Sequence, residues 1–148
     1  MNEFLSLFTR ASKLMREAAD DAMSRHGVRV GQNLVLEVLW ETDGLTPGEL
    51  AERLHVATPT IVKSATRMEA TGLLTRRRDP ADARLVRLYL TDQARSVRTA
   101  IESERDALAE RAIGALSDAE RRALVRALGK IVEEFGREAP TVPPGRQR

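Results

Sequence analysis

The sequence predicts a mostly α (α+β) fold with a single antiparallel hairpin, and three observations carry that expectation. Two helix-start signals, Thr46-Pro47 and Thr58-Pro59, bracket a short run with apolar residues at helical spacing. The stretch RRRDPADARLVRLYLT over residues 76–91 reads as two short strands around an acidic-Pro turn. Long segments of helical periodicity lie on both sides of this centre. Two capped helices followed at once by a basic hairpin make a winged helix-turn-helix with a two-stranded wing. At 148 residues the chain is of single-domain size, expected over 1–137, with dimerisation helices at 1–26 and 92–137 around a winged unit at 32–91.

The elements follow in order. Phe4, Leu5, Phe8, Ala11, Leu14, Met15, Ala18, Ala19, Ala22 and Met23 give a wide apolar face to a first helix of about 22 residues, ended at His26-Gly27. A second helix near Gln32–Thr42 carries Leu34, Val35, Val38 and Leu39 and closes at Asp43-Gly44. Thr46, Pro47 and Glu49 form a capping box for a third, with Leu50, Ala51 and Leu54 as its buried stripe. His55-Val56-Ala57 makes the turn, and Thr58 is expected to cap a fourth helix running to Thr71, with Gly72 as the left-handed stop. In that helix Ile61, Ala65 and Met68 form one apolar stripe, so Thr60, Lys63, Thr66 and Arg67 face outward. Leu73–Arg77 and Leu85–Leu90 read as the strands, the latter alternating Val86, Leu88 and Leu90 with Arg87 and Tyr89. Thr91-Asp92 opens a long helix to about Ala115, and Ser117-Asp118-Ala119-Glu120 is a capping box for a last one bearing Leu124, Leu128, Ile131 and Phe135. Residues 138–148, rich in Pro, read as a disordered tail.

Short hydroxyls and long cations on one helix face suit a DNA major groove, where Lys and Arg reach guanine acceptors or phosphates. An exposed wing arginine suits the adjacent minor groove, where negative potential is focused. Charge is distributed accordingly. Residues 53–87 hold eight Lys or Arg against three Asp or Glu, an excess of +5 in a chain of net +2, so the remainder carries −3. Candidate DNA contacts are Thr58, Pro59, Thr60, Val62, Lys63 and Arg67 on the helix and Arg76, Arg77, Arg78 and Arg84 on the wing.

Other chemistries are excluded or unsupported. Without cysteine there are no disulfides, thiolate metal sites or thiol-based sensing. His26 and His55 lack ligand-like spacing, so no metal site is expected. No glycine-rich phosphate loop or nucleophile elbow is present, so no cofactor and no catalysis are expected. No apolar run of ~18 residues and no secretory signal appear, and a cytoplasmic location away from membranes is expected.

The stretch DPADARLVRLYLT after a Gly-Leu-Leu helix exit resembles the wing of the MarR family of bacterial transcription regulators. Asp79, Pro80, Asp82, Arg84, Leu90 and Thr91 stand where that pattern wants them, and the flanking helices fall in the family's order. Pro59 replaces a small polar residue often found there. The resemblance implies that Arg84 enters the minor groove, that Asp82 braces the wing, and that the Pro59–Thr71 helix enters the major groove. It also implies a homodimer, which the unpartnered apolar stripes at both ends favour independently.

The resulting expectation is a homodimeric regulator that binds a pseudo-palindromic operator in double-stranded DNA and represses nearby genes. The resemblance adds a small phenolic or other aromatic effector that modulates affinity, in a cleft between the dimerisation helices and the DNA-binding lobe, with Trp40 and Arg76 as candidate contacts. A lone Trp on an apolar helix more often fills space in the core. The alternative is a winged-helix module for protein contact or enzyme dimerisation that does not read DNA.

Overall fold

The computed structural model describes residues 2–137. The elements are α1 (Glu3–Ser24), α2 (Gln32–Glu41), α3 (Pro47–Leu54), α4 (Thr58–Ala70), β1 (Leu74–Arg78), β2 (Val86–Leu90), α5 (Asp92–Ser96), α6 (Arg98–Ile113) and α7 (Asp118–Gly136). The mostly helical fold with one antiparallel hairpin is the one the sequence predicts. The expected tail at 138–148 lies outside the described residues. The chain divides into two compact units, Met1–Ala109 and Glu110–Arg148.

In the first unit, one apolar cluster joins the end of α1 to α2, α3, α4, the hairpin and the start of α6, with Met23, Leu36, Leu50, Met68, Leu88 and Ile101 fully enclosed. Each such side chain contributes roughly 1.5–3 kcal/mol relative to exposure, which suffices to order the short helices around it. Isolated helices as short as α3 are marginal in water, so packing supplies their stability. At the far end of this core, Glu104 of α6 accepts from Arg25 and contacts His26 Nε2 at 3.2 Å, which fastens the end of α1 to α6.

The hairpin pairs Leu74 with Leu90, Arg76 with Leu88 and Arg78 with Val86 on one face, and Thr75 with Tyr89 and Arg77 with Arg87 on the other. β2 also gains a partner that the sequence does not announce. Leu88 exchanges hydrogen bonds with the segment before α3, donating to Leu45 O at 2.8 Å and accepting from Gly44 N at 3.1 Å. The wing is thereby joined to the entry of the helix-turn-helix.

Besides shifts of one or two residues at several element ends, among them β1 and β2, two boundaries differ from the sequence reading in kind. The cap of α4 is Ala57, in extended conformation and without a side-chain hydrogen bond, whereas Thr58 is already helical. His55 closes α3 in the left-handed conformation at φ 55°, and Ala57 O already accepts from the Thr60 and Ile61 N–H groups, so α4 starts one residue earlier than expected. The long helix expected from Asp92 is interrupted at Val97. In a continuous helix Ala94 O would accept from Arg98 N–H; here it accepts from the Trp40 indole at 3.0 Å.

The second unit contains the capped helix α7, where Ser117 and Glu120 cap each other as expected. None of its described residues in α7 is buried, and Leu124, Val125, Leu128, Val132 and Phe135 are exposed. The N-terminal part of α1 likewise exposes Phe4, Leu5, Leu7, Phe8, Leu14 and Met15. No helix of the described residues is long and apolar enough to cross a membrane.

Candidate nucleic-acid interface

The interface is built on α4. Thr46 and Glu49 first fix the preceding helix through reciprocal hydrogen bonds, Glu49 N to Thr46 Oγ1 at 3.2 Å and Thr46 N to Glu49 Oε2 at 3.3 Å. Burial of Ile61, Ala65 and Met68 then sets the rotation of α4. Thr58, Pro59, Thr60, Val62, Lys63, Thr66 and Arg67 are all exposed as a consequence. Among the described residues, Lys63 and Arg67 have no carboxylate partner and Val62 adds an apolar surface beside them.

Strand parity separates the wing arginines, which look equivalent in sequence. Arg76 shares the inner face with Leu74 and Leu88, and turns onto α4: its Nε donates to Glu69 Oε2 and its Nη2 to Thr66 Oγ1, both at 2.7 Å. Thr66 Oγ1 donates in turn to Val62 O at 2.9 Å. Arg76 therefore directs Nε and Nη2 onto α4. Arg77 faces the other way, directly across from Arg87, a like-charge pairing that is unfavourable unless both cations find partners. They do: Arg77 lies over the Tyr89 ring at 4.8 Å, and Arg87 Nε donates to Asp79 Oδ2 at 2.5 Å. Arg78 is exposed near the tip.

At the tip, Asp82 takes the Arg84 guanidinium in two hydrogen bonds and its backbone N–H in a third, while the Arg84 side chain remains 89% exposed. The Arg84 hydrogen bonds hold the Asp82 carboxyl below the ordinary aspartate range, and Asp82 raises Arg84 in return. Arg87 lowers Asp79 in the same way, helped by the Ala81 and Asp82 backbone N–H groups. Both carboxylates stay ionised at neutral pH, so the tip is a pre-oriented cation on a braced turn.

Asp79 and Arg87 were not among the sequence-derived site residues. Their signal was present: an arginine alternating with apolar positions in a strand, and an acid at the start of the turn diagonal to it. Chain pattern alone did not show that Arg87 would also reach back to Gly44 O at 2.9 Å.

A groove of about 840 Å³ lies between α1, the α1–α2 connection and α4, lined by Arg16, Asp20, Leu34 and Val56 together with Lys63 and Arg67. Trp40 and Arg76 do not line it. The Trp40 ring packs against the core, with its N–H on Ala94 O and Arg98 5.8 Å above it. Among the described residues no group of His, Asp and Glu side chains could hold a metal ion.

The MarR family model matches residues 30–86. The regulator TtmR of Methylorubrum extorquens is 38% identical over 76 residues, covering 51% of this chain and only 39% of TtmR. MgrA of Staphylococcus aureus, also an HTH-type transcriptional regulator, is 28% identical over 130 residues, or 88% of this chain and 87% of MgrA. The crystal structure of the S. aureus MepR–DNA complex superposes with a TM-score of 0.82 at 24% identity, covering 90% of this chain and 99% of that one, a likeness of fold.

Proposed function

Because the chain belongs to the MarR family of winged helix-turn-helix transcription regulators, we propose that it acts as a cytoplasmic homodimer that binds a pseudo-palindromic operator and represses nearby genes. The family is one of regulators and not of enzymes, and the protein works by binding alone. One observation carries the reading: the exposed Lys63 and Arg67 of α4 and the exposed, pre-oriented Arg84 of the wing belong to the same compact unit. A helix with outward cations and a cationic wing tip on one rigid body match the major and adjacent minor grooves of a duplex. MepR, of like fold, was crystallised with DNA.

The exposed apolar faces of α1 and of α7 favour the dimer, since isolated apolar stripes of that extent need partners. A dimer covering a promoter excludes polymerase without further contacts. The groove beside α4 suits a small phenolic or other aromatic effector, because Leu34 and Val56 offer apolar walls among the charged groups of Arg16, Asp20 and Lys63. A bound effector changes affinity only as far as it binds the DNA-competent and incompetent states differently.

Binding of a duplex pool by the full-length chain, followed by footprinting, tests the reading. The expected result is two protected half-sites about 10 bp apart, or a multiple, with affinity falling steeply with salt. Binding without sequence preference, or capture of acidic proteins in place of DNA, would overturn it.

A further inference from the structure

We propose that Arg87 is a positioning residue that sets where Arg84 can reach, by tying the wing turn to the start of α3. The proposal rests on the reading of the wing as a DNA contact. Four partners on three segments meet at Arg87 and Asp79. Arg87 Nε donates to Asp79 Oδ2 at 2.5 Å, and Nη1 donates to Gly44 O at 2.9 Å and lies 3.8 Å from Glu49 Oε2. Asp79 Oδ1 accepts from the backbone N–H groups of Ala81 at 2.7 Å and Asp82 at 2.9 Å. Asp82 then holds Arg84 through both guanidinium edges. An unbroken path of polar contacts therefore runs from the capping box of α3 to the groove arginine.

The tip has little else to hold it. Residues 79–85 contribute no buried side chain, and a two-stranded hairpin is marginal on its own. The side chains of Asp79 and Arg87 are 11% and 27% exposed, the least solvated ion pair in the wing, so screening weakens it less than it weakens Arg84–Asp82. Removing Arg87 leaves the Asp79 and Asp82 contacts local to the turn, and leaves the hairpin tied to the α3 entry through the Leu88–Leu45 pairing further down the strand. Arg87 itself is spent on intramolecular partners and contributes no phosphate contact.

The test uses the full-length chain and a duplex that it enriches from a random-sequence pool. Affinity is measured over a range of salt for the parent, Arg84→Ala, Arg87→Gln and the double variant. The expected result is a loss of about 2- to 10-fold from Arg87→Gln that vanishes in the Arg84→Ala background, where the salt slope of the double variant equals that of Arg84→Ala alone. Asp79→Asn keeps the turn acceptor but removes the charge that holds Arg87, and is expected to reproduce both results. Arg87→Lys reaches fewer partners at once and is expected to restore part of the affinity. If Arg87→Gln fails to fold, the cycle with Asp79→Asn decides alone. Losses that multiply in the double variant, with a further fall in salt slope, would overturn the proposal by making Arg87 a direct phosphate contact. Parent-like binding by Arg87→Gln or Asp79→Asn would also overturn it. Parent-like binding by Arg84→Ala would overturn the DNA reading of the wing itself, a distinct outcome.

Discussion

Arg84 and Asp82 meet edge to edge across the wing turn, Nε to Oδ1 at 3.0 Å and Nη2 to Oδ2 at 3.1 Å. The contact orients the guanidinium before any duplex arrives. Insertion into a narrow minor groove reads shape more than base identity. Arg84→Ala is therefore expected to weaken operator binding and to lower the salt slope by at most about one counterion per subunit. Thermal melting is expected to stay within about 0.5 kcal/mol of the parent, as for an exposed surface substitution. Titration over several salt concentrations checks the first, calorimetry the second.

Lys63 and Arg67 stand on the exposed side of α4, with no carboxylate partner among the described residues. On the proposed interface, replacing one by Ala is expected to remove either a base contact or a phosphate contact, and the two outcomes differ. Loss of a bidentate base contact costs about 1–3 kcal/mol and relaxes specificity at one base pair; loss of a phosphate contact weakens all sequences alike. Lys63→Ala is expected to give the first pattern, measured across a set of operator variants. Uniform loss would reassign Lys63 to the backbone.

Gly44 lies at φ +74°, and a Cβ there would fall 2.8 Å from Tyr89 Cε1. Its carbonyl also receives Arg87. Gly44→Ala is expected to destabilise the fold by roughly 1–2 kcal/mol from the left-handed backbone alone, with the Tyr89 clash in addition. Chemical denaturation with an unchanged m-value is the measurement. Thr46→Ala removes the acceptor for Glu49 N and is expected to cost about 1 kcal/mol in the same assay.

Phe8 and Leu14 of α1 are about half exposed, whereas Met23 of the same helix is sealed in the core. Point charges therefore test assembly better than truncation, which would also empty the Met23 site. A dimer at micromolar concentration is expected for the parent, and Phe8→Asp is expected to shift sedimentation toward monomer while leaving the helical circular dichroism unchanged. A parent chain that sediments as a well-behaved monomer contradicts the proposed assembly.

The carboxyls of Asp79 and Asp82 are depressed by Arg87 and Arg84 respectively. A depressed folded value means that the pairing contributes fully above the ordinary aspartate range near about 4 and is lost as pH falls through the lower folded value. The wing contacts are thus expected to be constant from about pH 5 to 8 and to fail only in stronger acid. Carboxyl NMR titrations with inflections below the ordinary aspartate value check this. An inflection for Asp79 or Asp82 above that value would contradict the pairing.

Local chemistry was enough to define much of this protein. Thr46-Pro47-Gly48-Glu49 and Ser117-Asp118-Ala119-Glu120 specify helix starts through contacts three residues apart, and the spacing of Ile61, Ala65 and Met68 specifies which side of α4 is buried. Short-range steric and hydrogen-bond rules act within a few residues, so they are legible in the chain. The Asp82–Arg84 contact spans two residues and belongs with them. The cap at Ala57 and the break at Val97 were not legible in this way. The first follows the left-handed backbone of His55, and the second depends on an indole 54 residues away taking the Ala94 carbonyl. Likewise Arg76, Arg77 and Arg78 are adjacent cations in sequence, and only the register of β1 against β2 sends the first to Glu69 and the second to Tyr89. The link from Arg87 to Gly44, 43 residues apart, exists because Leu88 pairs with Leu45 and carries the two segments together. Side-chain type determined which contacts were possible; packing of distant segments determined which were made.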